Sequence, residues 1–354
     1  MNYVDYLQLK NLLSCQQMES ERLAKPAHDE MLFIIVHQVY ELWFKQILFE
    51  VDSVMEIFEK ERVNEESLGL VAHRLQRVVT IQKHIVDQIA VLETMTPLDF
   101  LEFRDLLVPA SGFQSFQFRL LETKLGLRSR DRVSFAGKTL EKAPPPEEES
   151  KSLFVLIDRW LSRTPFLKMR DFDFLINYKV CVDKMLLRDK GLIEGNPSLS
   201  EDGKQRQLAA LEVTRHNFEA LFDRNIYDEL LKSGERRMSY DAALASLLIF
   251  LYRDRPIFQQ PFHVLTALVD MDEWFTTWRY RHSLMVHRMI GTKIGTGGSS
   301  GHDYLKRSAD QHKVFTDLFD LSTFLIPRSQ LPSLPKELQR KMDFIYSSEE
   351  ERAS

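Results

Sequence analysis

Apolar positions recur every three or four residues along most of the chain, which is the period of an amphipathic α-helix. The pattern predicts a short helix over Leu7–Gln17, a long helix from a cap at Asp29 to about Lys60, and a second long helix over Glu65–Met95. Strand-like alternation between hairpin turns is hard to find, and glycine contributes only 13 of 354 residues. The fold class expected from this pattern is all-α.

Turn-forming residues divide the remainder of the chain. Pro97 suits a first helical turn, a turn is expected at Pro109–Phe113, and the next helix should end at Gly126. Segment 129–152 joins three consecutive prolines to an acidic run, which is typical of an exposed loop. A break is expected at RDRPIFQQPF, and further helices are predicted at Gln205–Lys232, Tyr240–Tyr252 and about His263–Ile290. We expect a single helical domain over residues 1–354, with a loop-rich variable insertion at about 129–235.

Composition narrows the class of protein. The net charge of −5 argues against a general nucleic-acid binder, whose surface is usually basic. The longest apolar run, Ala242–Tyr252, is about half of the ~20 residues needed to cross a bilayer, so no membrane span is expected. Two unpatterned cysteines, Cys15 and Cys181, suit a reducing compartment. We therefore expect a cytoplasmic protein with no membrane or nucleic-acid partner.

An imidazole interrupts one of the most apolar stretches of the chain. On a helix, His37 has Phe33, Tyr40 and Phe44 on the same face. One interpretation is a core histidine bonded to a carbonyl or carboxylate. The other is a histidine in the wall of an apolar pocket, where it would meet a polar atom of a flat ligand.

Phe100 and Arg104 lie four residues apart in PLDFLEFRDLL and share a helical face. An arginine beside an aromatic ring can bind a ligand's carboxylate while the ring packs on its apolar body. A surface ion pair of Arg104 with Asp99 or Glu102 is the alternative.

Two histidines lie five residues apart in DEWFTTWRYRHSLMVHRMIG, so they face different sides of a helix. His282 shares its stripe with Trp278 and Met285, whereas the face of His287 is more mixed. A neutral histidine in an apolar wall suits the axial position of a haem iron, although a structural histidine remains open. The following GTGGSSG, which contains Thr296, is a loop able to close over a polar ligand group or a plain flexible linker.

Five blocks of the sequence together resemble the tryptophan 2,3-dioxygenase family of haem dioxygenases, and its animal members in particular. They are NYVDYLQLKNLLSCQ, HDEMLFIIVHQVYELWFKQILFEVDSV, LETMTPLDFLEFRDLLVPASGFQSFQFRLLE, WRYRHSLMVHRMIGTKIGTGGSSGHDYL and FDLSTFLIP. The resemblance implies an all-helical homotetramer with one haem b in each subunit. It implies insertion of both atoms of O2 across the indole C2–C3 bond of L-tryptophan, giving N-formyl-L-kynurenine in the first step of the kynurenine pathway.

The same resemblance implies roles for individual residues. His282 matches the axial ligand of the iron, and His37 matches the histidine near the indole N–H. Substrate contacts are implied for Phe33, Phe100, Arg104 and Thr296, and a position near the haem for Ser111. Three residues, Tyr3, Tyr6 and Leu7, match an N-terminal arm that enters a neighbouring subunit's site. Ile89 departs from the bacterial members, which have a tryptophan there at the haem edge.

Three other functions are alternatives to this one. A haem sensor without turnover is disfavoured because none of the matched polar residues is missing. An indoleamine dioxygenase is disfavoured because that family lacks the histidine matched by His37 and the N-terminal arm. The third alternative is a helical scaffold without any ligand, which a colourless purified protein would favour.

Overall fold

A computed structural model describes residues 1–132, 150–169, 172–291, 293 and 301–344. Their regular structure is almost entirely helical, which confirms the all-α class expected from the period of the apolar positions. In chain order the α-helices are Tyr3–Tyr6, Leu9–Leu12, Glu19–Arg22, Glu30–Phe58, Glu65–Asp87, Ile89–Leu92, Pro97–Phe103, Phe116–Leu125, Leu153–Leu161, Phe174–Glu194, Glu201–Phe222, Arg224–Ser233, Tyr240–Leu251, Pro256–Ile290, Gly301–Gln311, Thr316–Asp320 and Lys336–Met342.

Shorter elements connect these helices. The 3-10 helices are Arg104–Leu107, Gly112–Gln114, Ser129–Asp131, Leu321–Phe324 and Arg328–Gln330. The described strands, Lys168–Met169 and Phe172–Asp173, form an antiparallel pair in which Lys168 lies opposite Asp173. Most of the loop predicted at 129–152 lies outside the described residues.

The Glu30–Phe58 helix forms because its apolar residues recur at helical spacing, and its inward residues Ile47, Val51 and Val54 are completely buried. Asp29 is the N-cap residue, as predicted, but its side chain makes no capping hydrogen bond. The carboxylate of Glu30 instead accepts hydrogen bonds from the backbone N–H groups of residues 19 and 20. This contact fixes the start of the helix to the preceding segment.

Among the described helices, Glu30–Phe58 is also the one that is long and apolar enough to cross a membrane. The core helix of a globular protein meets the same two criteria of length and composition. In this chain the helix packs on Phe116–Leu125, with the rings of Phe44 and Phe118 5.3 Å apart.

Three predicted helices differ in their bounds from the helices observed. Of the helix predicted over Leu7–Gln17, only Leu9–Leu12 is α-helical, and Gln8, with φ of 52°, separates it from the Tyr3–Tyr6 helix. The helix predicted over Glu65–Met95 is divided at Gln88. Asp223 has extended backbone angles and divides the helix predicted over Gln205–Lys232, because its side chain caps the helix that follows.

The break predicted at RDRPIFQQPF is confirmed only in its first part: the helix before it ends at Leu251, but the next helix starts at Pro256 and not at about His263. A single helix begins at Pro256, continues through Pro261 and ends at Ile290. Pro256 stands in the first turn, where its missing N–H is no loss. Pro261 comes only five residues later, and the helix tolerates the one backbone hydrogen bond that it lacks.

The backbone divides into two compact units. The first comprises Met1–Glu59, His73–Val155 and Asp270–Val314, and the second comprises Lys60–Ala72, Leu156–Val269 and Phe315–Ser354. In the second unit, the Phe174–Glu194 helix packs on the Glu201–Phe222 helix around the fully buried Tyr178. A single domain over the whole chain stays a prediction.

Candidate functional site

A large cavity lies within the first unit, between the Glu30–Phe58 helix and residues 278–290 of the Pro256–Ile290 helix. Aromatic side chains form much of its wall: Phe33, Tyr40, Phe44, Phe100, Phe118 and Trp278. Phe33 and Phe44 are eleven residues apart on one helix, which corresponds to about 16 Å along its axis. The cavity is thus long, largely apolar and lined by side chains from distant parts of the sequence.

His37 lines the cavity one helical turn after Phe33. Its Nδ1 lies 2.7 Å from the backbone carbonyl oxygen of Phe33. Since a carbonyl oxygen only accepts, Nδ1 carries the proton and Nε2 is left as an acceptor. Burial lowers the pKa of His37, against smaller opposing effects of this hydrogen bond and of Glu41. The ring is therefore neutral at pH 7 and can accept a hydrogen bond.

His282 lines the same cavity, and its ring is 5.1 Å from that of Trp278. Burial, together with the nearby His37, lowers the pKa of His282 to about 4. Its buried Nδ1 has no hydrogen-bond partner among the described residues. A neutral, buried and unsatisfied imidazole fits the axial position of an iron in a haem. As the helical spacing predicts, Met285, Val286 and Met289 share the wall with it, and the exposed His287 does not.

One end of the cavity combines packed aromatic rings with an arginine. The ring of Phe33 is 4.0 Å from His37 and 5.7 Å from Phe100. Arg104 follows one turn after Phe100, and its side chain is only 17% exposed. Among the described residues, Arg104 forms no ion pair with Asp99 or Glu102, the partners considered from the sequence. Asp99 instead caps its own helix at Thr96, and the carboxylate of Asp105 lies 3.8 Å from Arg104. The Phe33, Phe100 and Arg104 side chains together could bind a flat ring that carries a carboxylate.

The other end contains a buried ionic cluster that sequence reasoning missed. The carboxylate of Glu122 accepts hydrogen bonds from Arg279 at 2.9 Å and from His312 at 3.1 Å through one oxygen. The second oxygen accepts from Arg119 at 3.1 Å and from Arg132 at 3.2 Å. All of these except Arg132 line the cavity.

Electrostatics keep this cluster ionised. Burial would raise the pKa of Glu122, but the hydrogen bond from His312 and the charges of Arg279 and Arg119 lower it well below its usual range. Burial lowers the pKa of His312, against the opposing effect of Glu122. The cluster therefore contains one carboxylate, three guanidinium groups and a neutral imidazole at pH 7.

The other residues singled out in the sequence are divided between the cavity and the surface. Ser111 and Ile89 line the cavity. Tyr3 and Tyr6 are 72% and 71% exposed on the first short helix, and Leu7 is its C-cap; none of the three lines the cavity of its own chain. Thr296 lies outside the described residues.

A pattern in the sequence could have indicated part of the missed cluster. Arg119 and Glu122 are three residues apart in FRLLETKL, and Glu122 lies between the apolar Leu121 and Leu125. A carboxylate on the apolar face of a helix requires buried partners. The identity of those partners, Arg279 and His312, could not be read from the sequence, because they lie more than 150 residues further along the chain.

Comparison with known proteins agrees with this site. A family model described as tryptophan 2,3-dioxygenase matches residues 1–325. A tryptophan 2,3-dioxygenase of Bdellovibrio bacteriovorus is 51% identical, over 98% of this chain and 99% of its own length. Relatives of the same name are 48% identical in Dictyostelium discoideum and 46% identical in Xenopus tropicalis, each over 98% of this chain and over 88% and 87% of their own lengths. The chain belongs to the tryptophan 2,3-dioxygenase family.

Proposed function

We propose that the cavity binds haem b and L-tryptophan and that the chain catalyses the oxidation of L-tryptophan by O2 to N-formyl-L-kynurenine. The observation that carries the proposal is the placement of two neutral histidines, His37 and His282, in one apolar cavity with an arginine at each end. Membership of the family, whose enzymes depend on haem, supports it independently.

The cavity residues fit a haem. His282 would ligate the iron, and the wall formed by Trp278, Met285 and Met289 would contact the apolar macrocycle. Because a ligating histidine needs a neutral nitrogen, the low pKa of His282 favours this role at pH 7. A closed-shell indole does not react readily with O2 by itself. When bound, haem would supply the activation of O2. Ser111 is assigned a position near the cofactor, on the basis of its place in the cavity wall.

The end of the cavity near Phe33 suits tryptophan. Phe33 and Phe100 would pack on the indole, and Arg104 would bind the carboxylate. The Nε2 of His37 would accept a hydrogen bond from the indole N–H, since its Nδ1 already donates to the backbone. His37 thus orients the ring, and no proton needs to leave the indole.

The overall reaction requires no further reductant. The C2–C3 bond of the indole is cleaved, C2 becomes the formyl carbonyl carbon and C3 becomes the ketone carbon. One atom of O2 enters each product carbonyl, so substrate and O2 account for every atom of the product. The task of the protein residues is to bind the indole ring in the orientation that the reaction with O2 requires.

Completion of the site by a second subunit is part of the proposal. The first short helix carries Tyr3 and Tyr6 exposed to solvent, and the Asn2 side chain caps it. Such a preformed apolar arm suits insertion into the cavity mouth of a neighbouring subunit in a homotetramer.

The contribution of Thr296 to binding the amino-acid end of the substrate rests on the resemblance alone. A cytoplasmic location stays a prediction.

The test is mass spectrometry of the products formed from L-tryptophan and isotopically labelled O2 by the haem-loaded, reduced protein. The proposal expects N-formyl-L-kynurenine with two labelled oxygen atoms. A haem spectrum that shifts with tryptophan but gives no product would overturn the assigned activity and indicate a tryptophan sensor.

A further inference from the structure

Glu122 is the centre of a fully connected cluster of buried side chains. Its carboxylate is 5% exposed and accepts four hydrogen bonds, two at each oxygen. This number matches the acceptor capacity of an ionised carboxylate. The donors come from separate parts of the chain: the Phe116–Leu125 helix, residue 132, the Pro256–Ile290 helix and residue 312. One side chain thus fixes the relative positions of four others.

Arg279 is held especially firmly within the cluster. It donates to the Glu122 carboxylate at 2.9 Å and to the backbone carbonyl of His312 at 2.9 Å. Its guanidinium group also lies over the rings of Phe118 and Phe275, at 5.7 and 5.9 Å. The two hydrogen bonds use two of its five N–H donors. Arg279 nevertheless belongs to the cavity wall, so its charge is presented to whatever the cavity holds.

The cluster marks the cavity end opposite the proposed tryptophan site. Phe118 packs on Phe44, which is about 16 Å along the helix from Phe33. In the part of the chain that the structure describes, three guanidinium groups form ion pairs with the single carboxylate of Glu122, and this arrangement favours an anion. A haem carries its two carboxylates on one edge of an otherwise apolar ring. Their chemistry therefore matches this end of the wall, with the ring along its aromatic side.

We propose that Glu122 is a positioning residue that holds Arg119 and Arg279 in place to bind the carboxylates of haem. This inference rests on the proposed haem site. An arginine side chain loses considerable rotamer freedom when it binds a ligand, and a partner that fixes it beforehand removes that cost. Glu122 acts through the two arginines and contacts neither the iron nor the substrate.

A purely structural role for Glu122 makes different predictions. If the role were purely structural, removal of the Glu122 carboxylate would lower the unfolding free energy strongly and leave ligand affinity unchanged. A role through charge alone would make haem binding tighter when the carboxylate is neutralised, because the negative charge opposes an anionic ligand. Positioning predicts weaker binding, specifically of ligands that carry the carboxylates.

The experiment compares haem with its dimethyl ester, in which both carboxylates are blocked. Apoprotein of the wild type and of Glu122→Gln is titrated with each ligand, and binding is followed by the haem absorbance. We expect the wild type to bind haem at least about tenfold more tightly than the ester, as for a charge-assisted hydrogen bond. Glu122→Gln should weaken haem binding about tenfold and ester binding less than about threefold, as in a double-mutant cycle.

Two further variants keep the test decisive. Glu122→Asp retains the charge but shortens the side chain, so positioning predicts a smaller preference for haem over the ester, whereas charge alone predicts no change. This variant also serves if Glu122→Gln does not fold. Asp317→Asn is the matched control: Asp317 is 7% exposed and accepts hydrogen bonds from two backbone N–H groups, but it does not line the cavity. Its replacement should lower stability and leave the haem preference unchanged.

An equal loss of affinity for haem and ester in the Glu122 variants would overturn the positioning role and leave the haem site intact. Tighter haem binding by Glu122→Gln would also overturn it. Failure of the folded wild-type protein to bind either ligand would instead contradict the proposed haem site, and this inference with it.

Discussion

The two ends of the cavity each contain arginine, but they hold it differently. Arg104 lies beside packed phenylalanine rings, and the carboxylate of Asp105, 3.8 Å away, belongs to a side chain that is 89% exposed. Arg279 is bonded to a carboxylate that is 5% exposed and to a backbone carbonyl. An ion pair with an exposed carboxylate is weak and can be exchanged for one with a ligand, whereas an arginine fixed by a buried carboxylate suits a cofactor that stays.

This difference suggests how one cavity can distinguish two carboxylate-bearing ligands. The end near Phe33 offers aromatic packing, an acceptor on His37 and one arginine, which match an amino acid with an indole ring. The end near Glu122 offers several guanidinium groups, which match a ligand with two carboxylates. Under the proposed function, the carboxylates of haem and of tryptophan would therefore bind at different ends of the cavity.

The largest effect is expected at the residue between the two ends. His282→Ala should lower haem affinity by more than about 100-fold, because loss of an axial ligand should exceed the cost of losing its supporting hydrogen bonds. The measurement is haem absorbance after gel filtration, with His287→Ala as the matched control five residues further along the helix. Retention of haem by His282→Ala together with its loss from His287→Ala would reverse the assignment.

At the substrate end, Arg104→Ala should weaken L-tryptophan binding about 30- to 100-fold, the range expected when a carboxylate loses a charge-assisted partner. Binding of tryptamine, which has no carboxylate, should change less than about threefold. Both affinities follow from the tryptophan-induced shift of the haem spectrum, with Asp105→Asn as a control that keeps Arg104. An unchanged KM for tryptophan would contradict the role of Arg104.

His37→Ala should lower kcat about three- to tenfold while haem and tryptophan remain bound, because a single neutral hydrogen bond orients the indole. The comparison of kcat with tryptophan Kd in the same variant separates orientation from binding. Complete loss of turnover, with both ligands bound, would show that His37 does more than orient the ring.

The smallest effect concerns stability and belongs only to the Glu122 end. The folded chain holds the pKa of Glu122 far below its ordinary value of 4.5, so the stabilisation is present above that pH and is lost as pH falls through the acidic range. The unfolding free energy of the apoprotein should therefore fall less steeply below pH 4.5 in Glu122→Gln, by at most about 1.4 kcal/mol per pH unit. Arg104→Ala should keep the wild-type slope. Equal slopes in wild type and Glu122→Gln, measured by urea unfolding, would contradict this ionisation.

Helical periodicity was sufficient to predict the fold class and much of the cavity wall near Phe33. The stripe of His37, Phe33 and Tyr40 is local, and so is the pair of Phe100 and Arg104, so spacing along one helix reveals them. The left-handed conformation of Gln8 and the continuous helix through Pro261 were not predictable, because local propensity is only a weak guide to where a helix begins. The Glu122 cluster could not be predicted for a different reason: its hydrogen bonds join residues that are distant in the sequence.

The most direct test of two separate anion sites is a crossed measurement of two affinities in two variants. Haem affinity of the apoprotein and tryptophan affinity of the haem-loaded protein are determined for Arg104→Ala and for Glu122→Gln. The account predicts that Arg104→Ala weakens tryptophan binding and leaves haem binding within about twofold, while Glu122→Gln weakens haem binding and leaves tryptophan binding within about twofold. Loss of the same ligand in both variants would contradict the assignment of haem and tryptophan to opposite ends of the cavity.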